Sequence, residues 1–97
     1  MNGMRAIHPG EILREEYLEP MGLSASALAI ALRLPAPRVN DIVRERRGIS
    51  PDTALRLARF FGTSAQFWMN LQSGYELKIA AAASGKRVQQ EVRPHAD

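Results

Sequence analysis

Two short apolar-periodic stretches, one opening at Ser24 and the other within Leu34-Pro35-Ala36-Pro37, follow each other across a very short link, and this limits the folds open to the chain. In the first, Ser24 has the hydroxyl that an N-cap needs, and Leu28, Ala29 and Leu32 fall on one helical face. The second runs to about Arg44. Proline is tolerated in its first turn, and Val39 and Ile42 point inward while Arg38, Asn40, Asp41 and Arg44 stay outside. Helices joined so closely cross steeply, which brings their backbones together, and the small side chain of Ala29 permits that approach. The spacing is that of a helix-turn-helix, and it leaves the outer face of the second helix free.

The rest of the chain supplies three more helices around this pair. The first begins with His8 as cap, Pro9 at the first helical position and Glu11 in the first turn, with Ile7 and Ile12 spaced as a hydrophobic staple. It is expected to end before Pro20. The fourth has Ser50 as cap, then Pro51 and Asp52, a buried stripe of Ala54, Leu55, Ala58 and Phe61, and Gly62 as its stop. The fifth opens at Thr63 or Ser64, where Thr63 and Gln66 have capping-box spacing, and continues through Phe67, Trp68, Leu71, Tyr75 and Ile79. No strand run appears, so the fold class is all-α, a five-helix domain. A chain of 97 residues holds one core. Residues 1–6 read as a flexible N-terminus, 7–83 as the domain, and 84–97 as a polar, mobile tail in which Gly85, Lys86, Arg87 and Pro94 end the periodic pattern.

Charge is distributed unevenly. The net charge of +3 favours a polyanionic partner modestly. Residues 11–19 carry Glu11, Glu15, Glu16 and Glu19 against Arg14 alone, whereas residues 38–47 carry Arg38, Arg44, Arg46 and Arg47 against Asp41 and Glu45. The second segment is built to face phosphate. The chain has no cysteine, no paired histidines, no phosphate-binding glycine loop and no carboxylate pocket, so neither an enzyme nor a metal or cofactor site is expected. An RNA-binding role is disfavoured too, because the basic segment lacks interleaved aromatics. No membrane segment or secretory leader is legible, and a cytoplasmic location is expected.

The N-terminal half of a helix so exposed can enter the roughly 12 Å wide major groove, where Asn pairs with adenine and Arg with guanine through two hydrogen bonds each. Arg38 and Asn40 are the base-reading candidates. Pro37 reads first as a structural first-turn residue and second as a thymine-methyl contact. Asp41 stays open between accepting from cytosine, pairing with Arg38 or Arg44, and repelling phosphate. Arg44, Arg46 and Arg47 follow the recognition helix and fit phosphate contacts. Trp68, Leu71, Tyr75 and Ile79 read either as core or as a dimer seam, since a symmetric partner would set two recognition helices about 34 Å apart.

Several separated motifs carry a family resemblance. His8-Pro9-Gly10-Glu11-Ile12-Leu13, Val39-Asn40, Arg47-Gly48-Ile49-Ser50, Thr53-Ala54-Leu55-Arg56-Leu57-Ala58, Phe67-Trp68-Met69-Asn70-Leu71-Gln72 and Tyr75-Glu76-Leu77 resemble HigA-type (VapI-like) antitoxins of the Cro/repressor-like helix-turn-helix class, over roughly residues 7 to 80. The resemblance implies a homodimer that binds a palindromic operator in double-stranded DNA, represses its own operon and neutralises a small basic ribonuclease toxin that cleaves mRNA on the ribosome. It implies that Ala36, Pro37, Arg38, Asn40 and Asp41 face base edges, and that Ser24, Arg44, Arg46 and Arg47 lie near phosphates. Two departures stand out: Arg33 occupies the turn where relatives often have glycine, and Ala25 and Ala27 replace polar residues. A stand-alone regulator without a toxin is the alternative. A pure toxin inhibitor, using the acidic first helix or the chain ends, is a further class.

Overall fold

The computed structural model describes residues 5–95, and all regular structure among them is helical. The first helix, α1, comprises Pro9–Ile12, a π-type stretch Leu13–Leu18, and Glu19–Met21. It does not end before Pro20, as the sequence suggested. Proline lacks an N–H and its ring collides with the carbonyl four residues back in an α-helix. The wider π turn, in which the Glu19 N–H reaches the Arg14 carbonyl, precedes Pro20 directly and lets the helix continue. Gly22 closes α1 in the left-handed region, with φ of 62°.

Four helices follow: α2 at Ala25–Leu32, α3 at Ala36–Val43, α4 at Pro51–Phe61 and α5 at Ala65–Glu91. The expected caps form at Ser24 and Ser50, whose hydroxyls accept from the N–H groups of Ala27 and Thr53. At α5 the cap is Ser64, accepting from Phe67. Thr63 is therefore no capping box with Gln66; its hydroxyl accepts the Trp68 indole N–H at 2.7 Å, and Gln66 bonds Asn70.

The core gathers Leu13 and Leu18 of α1, Leu28, Ala29 and Leu32 of α2, Val39 and Ile42 of α3, Ile49, Ala54 and Leu57 around α4, and Trp68 of α5. Tyr17, Phe61 and Phe67 lie around the Trp68 ring. Leu55 is 62% exposed and Leu57 takes the inner place, because Ala54, Leu57, Ala58 and Phe61 form the three-and-four spacing of one face while Leu55 sits about 100° off it. Ile7 is exposed and borders Leu71 and Tyr75 of α5, so it does not act as the buried half of a staple with Ile12.

Helix α5 runs past residue 83 to Glu91, into the segment read as a tail. The alanine run 80–83 and the Lys, Arg, Gln and Glu residues that follow are good helix formers, and a single Gly85 costs only about 1 kcal/mol against them. At about 1.5 Å per residue this helix extends well beyond the bundle and accounts for the molecule's 53 Å long axis. No helix among the described residues is long and apolar enough to cross a membrane.

Candidate nucleic-acid interface

The turn between α2 and α3 is closed by two backbone bonds: the Arg33 N–H to the Ile30 carbonyl at 3.1 Å and the Leu34 N–H to the Ala29 carbonyl at 3.0 Å. This Schellman closure requires the left-handed conformation at Arg33, which has φ of 60° and ψ of 42°. Arg56 of α4 adds a side-chain cap, Nη1 donating to the Leu32 carbonyl at 2.9 Å while Nε holds Asp52 at 2.8 Å. Pro35 then sits at the N-cap of α3 and Pro37 within its first turn, where no backbone donor is missed.

Helix α3 buries Val39 and Ile42, which turns the opposite face outward. Ala36 and Pro37 are exposed there, and Arg38, Asn40 and Asp41 are half-buried. The Asn40 amide donates to the Ala36 carbonyl at 3.0 Å, which uses one of its two N–H protons and leaves the other beside the amide oxygen for a base edge. Asp41 makes no ion pair with any described residue, so the pairing with Arg38 or Arg44 considered above does not form. Arg44, Arg46 and Arg47 are exposed and free of ion pairs to any described residue. Ser24 lies at the exposed start of α2; its oxygen accepts from Ala27 at 3.0 Å and its hydroxyl proton stays available to an anion.

The C-terminal end of α3 is gripped by α1, and the loop that follows it is held by α5. Glu45 adopts φ of 65°, its N–H reaches the Ile42 carbonyl at 2.9 Å, and the Arg46 N–H reaches the Asp41 carbonyl at 2.7 Å. Arg14 of α1 donates to the Val43 carbonyl at 2.6 Å and to the Glu45 carboxylate at 3.2 Å. Burial works against the charge of Arg14, but hydrogen bonds to Glu45 and Glu15 hold its pKa above the ordinary guanidinium value. Beside it, the His8 Nδ1 accepts from the Gly10 N–H at 2.8 Å, and burial pushes the imidazole below its ordinary pKa. Further on, the Gln72 side chain accepts from the Ile49 N–H at 2.7 Å and donates to Glu76 at 2.7 Å, pinning the strand of chain that leaves the interface.

Gly10, Arg14 and Gln72 were not among the site candidates read from sequence, although Gly10 and Gln72 fall within the motifs that carry the resemblance. Gly10 offered one signal, a poor helix former in a first turn. Gln72 offered another, since a polar residue four positions after Trp68 falls on the buried face. Among the residues read as a possible dimer seam, Trp68 is fully buried within its own chain and presents no surface to a second copy. Leu71 and Tyr75 are half-buried, the Tyr75 ring lying edge-on to His8 at 4.8 Å, and Ile79 is 47% exposed.

A helix-turn-helix family model matches residues 15–68, which span α1 to the start of α5. Virulence-associated protein I of Dichelobacter nodosus is 67% identical over 79 residues, covering 81% of this chain and 73% of that protein. This chain belongs to the HigA-type, VapI-like helix-turn-helix family. The solved structure of Pseudomonas aeruginosa antitoxin HigA with the higBA promoter is 61% identical, superimposes with a TM-score of 0.92, and is matched over 95% of this chain and 100% of its own. Antitoxin GraA in complex with its operator is 48% identical with a TM-score of 0.92, over 100% and 98% of the two chains. The Cro/repressor-like architecture expected of a HigA-type chain is thus the architecture found.

Proposed function

We propose that this HigA-type chain is a sequence-specific DNA-binding antitoxin, which binds a palindromic operator as a homodimer, represses its own operon and neutralises a small basic ribonuclease toxin in the cytoplasm. One observation carries the DNA half: α3 turns Ala36, Pro37, Arg38, Asn40 and Asp41 outward and is followed by three exposed arginines, Arg44, Arg46 and Arg47, that form no ion pair among the described residues. Likeness along the whole chain to antitoxins held with operator or promoter DNA supports the same use of this face. In this reading Arg38 and Asn40 read bases, while Ser24 and the three arginines neutralise phosphates. The half-exposed face of α5 around Leu71, Tyr75 and Ile79 joins two copies, with recognition helices about 34 Å apart.

The toxin half rests on family membership and on the acidic outer face of α1, where Glu15, Glu16 and Glu19 are exposed. The deciding experiment titrates purified protein onto duplex from its own upstream region and onto a scrambled duplex, at two salt concentrations, with the mass of the complex determined. Tight, sequence-dependent binding by a dimer is expected; absence of preference overturns repression. Co-purification with the product of the adjacent gene, resistant to high salt, is expected of an antitoxin, and its absence favours a stand-alone regulator.

A further inference from the structure

The far end of the recognition helix is completed by a side chain from another element. The Val43 carbonyl is among those that the end of α3 cannot satisfy internally, and Arg14 supplies both the missing donor and a cation at the negative end of the helix dipole. With its second arm the same guanidinium holds Glu45, the residue whose left-handed backbone turns the chain out of α3. Arg44, Arg46 and Arg47 leave from this knot in sequence. Arg14 itself is only about one-third exposed at the side chain and is fully engaged with a carbonyl and two carboxylates, Glu15 at 3.4 Å being the second.

We propose that Arg14 is a positioning residue for operator recognition: it fixes the end of α3 against α1 and aims Arg44, Arg46 and Arg47 without touching nucleic acid. A planar guanidinium spans a carbonyl and a carboxylate at once; an ammonium on a flexible stem lacks that fork. The proposal rests on the DNA-binding reading above.

The test compares the wild type with Arg14→Gln, Arg14→Lys and Arg14→Ala on the upstream and scrambled duplexes across a salt series, at a temperature where circular dichroism shows each protein folded. Operator affinity is expected to fall about tenfold in Arg14→Gln and Arg14→Ala, the scale of one lost charge-assisted hydrogen bond, with partial recovery in Arg14→Lys. The slope of log K against log salt is expected to stay at the wild-type value, because no phosphate contact is removed. A slope shallower by about one unit would mean that Arg14 neutralises a phosphate itself, and unchanged affinity in folded variants would mean that it only supports the fold. Either result overturns the proposal. If Arg14→Ala does not fold, Arg14→Lys and Glu45→Gln, which leaves the bond to Val43 intact, carry the comparison. Wild-type protein without preference for the upstream duplex overturns the DNA-binding reading first, and is seen before any variant is compared.

Discussion

Gly10 in the first turn of α1 lies directly against the backbone carbonyl of Ile42 in α3, so close that a Cβ built on the glycine would overlap that oxygen. Neither partner can swing aside, since both are backbone. In an open helix Gly→Ala gains about 0.5–1 kcal/mol; at Gly10 the same change forces α1 away from α3 at a cost of about 1–3 kcal/mol. Gly85 of α5 has nothing near its missing Cβ, and Gly85→Ala is the control. Thermal unfolding should show Gly10→Ala melting lower than wild type and Gly85→Ala melting higher; a rise in both would mean that the contact does not constrain the helices.

Arg33 carries a conformational cost that a glycine at the same place would avoid. Its side chain is exposed and its backbone is left-handed, a conformation that disfavours an L-residue by about 1–2 kcal/mol. Arg33→Gly is expected to stabilise the fold by about 1 kcal/mol, or several degrees in Tm for a domain of this size. Gly62→Ala, at φ of 76°, should shift Tm the opposite way. A lower Tm for Arg33→Gly would show that the Arg33 side chain contributes more than its backbone costs.

The pattern of gains and losses between sequence and structure has a physical basis. Caps such as His8, Ser24 and Ser50 are local, each satisfying an N–H two or three residues away, and were legible as such. The helix-turn-helix pair was legible because Ala29, Val39 and Ile42 mark the inner faces by spacing alone. The grip on the end of α3 was not. Arg14 meets Val43 across 29 residues and Gln72 meets Ile49 across 23; Arg14 looks in sequence like an ordinary exposed polar residue, and the buried-face position of Gln72 does not name its distant partner. Pro20 misled for a related reason, since the π turn that accommodates it leaves no mark in the pattern of apolar residues. The burial of Trp68, which removes it from any seam, follows from three other aromatic residues converging on it from α1, α4 and α5.

His8 caps α1 through Nδ1, which accepts a proton-bearing N–H only while the ring is neutral there. Burial lowers its folded pKa below the ordinary 6.5, so its contribution to stability is fully present above that value and is lost as the pH falls from 6.5 towards the folded pKa. His8→Asn keeps a capping side chain that does not titrate in this range. Urea unfolding at pH 7.5 and pH 5 should show a larger loss for wild type than for His8→Asn. Equal losses would assign the pH dependence to other groups.

Arg44 and Asn40 separate affinity from reading. Arg44 is exposed, makes no ion pair among the described residues and adjoins the end of α3, so it fits a phosphate contact whose neutralisation releases counter-ions, whereas Asn40 presents an amide edge from the middle of the helix. Arg44→Ala should weaken binding to every duplex and make the salt slope shallower by about one unit. Asn40→Ala should leave the slope unchanged and relax preference at a single base pair, by about 1–3 kcal/mol of discrimination. The check is a set of duplexes substituted one position at a time, each titrated at two salt concentrations. A uniform loss for Asn40→Ala across that set would remove Asn40 from base reading and return it to its bond with the Ala36 carbonyl, a helix-stabilising role with no part in specificity.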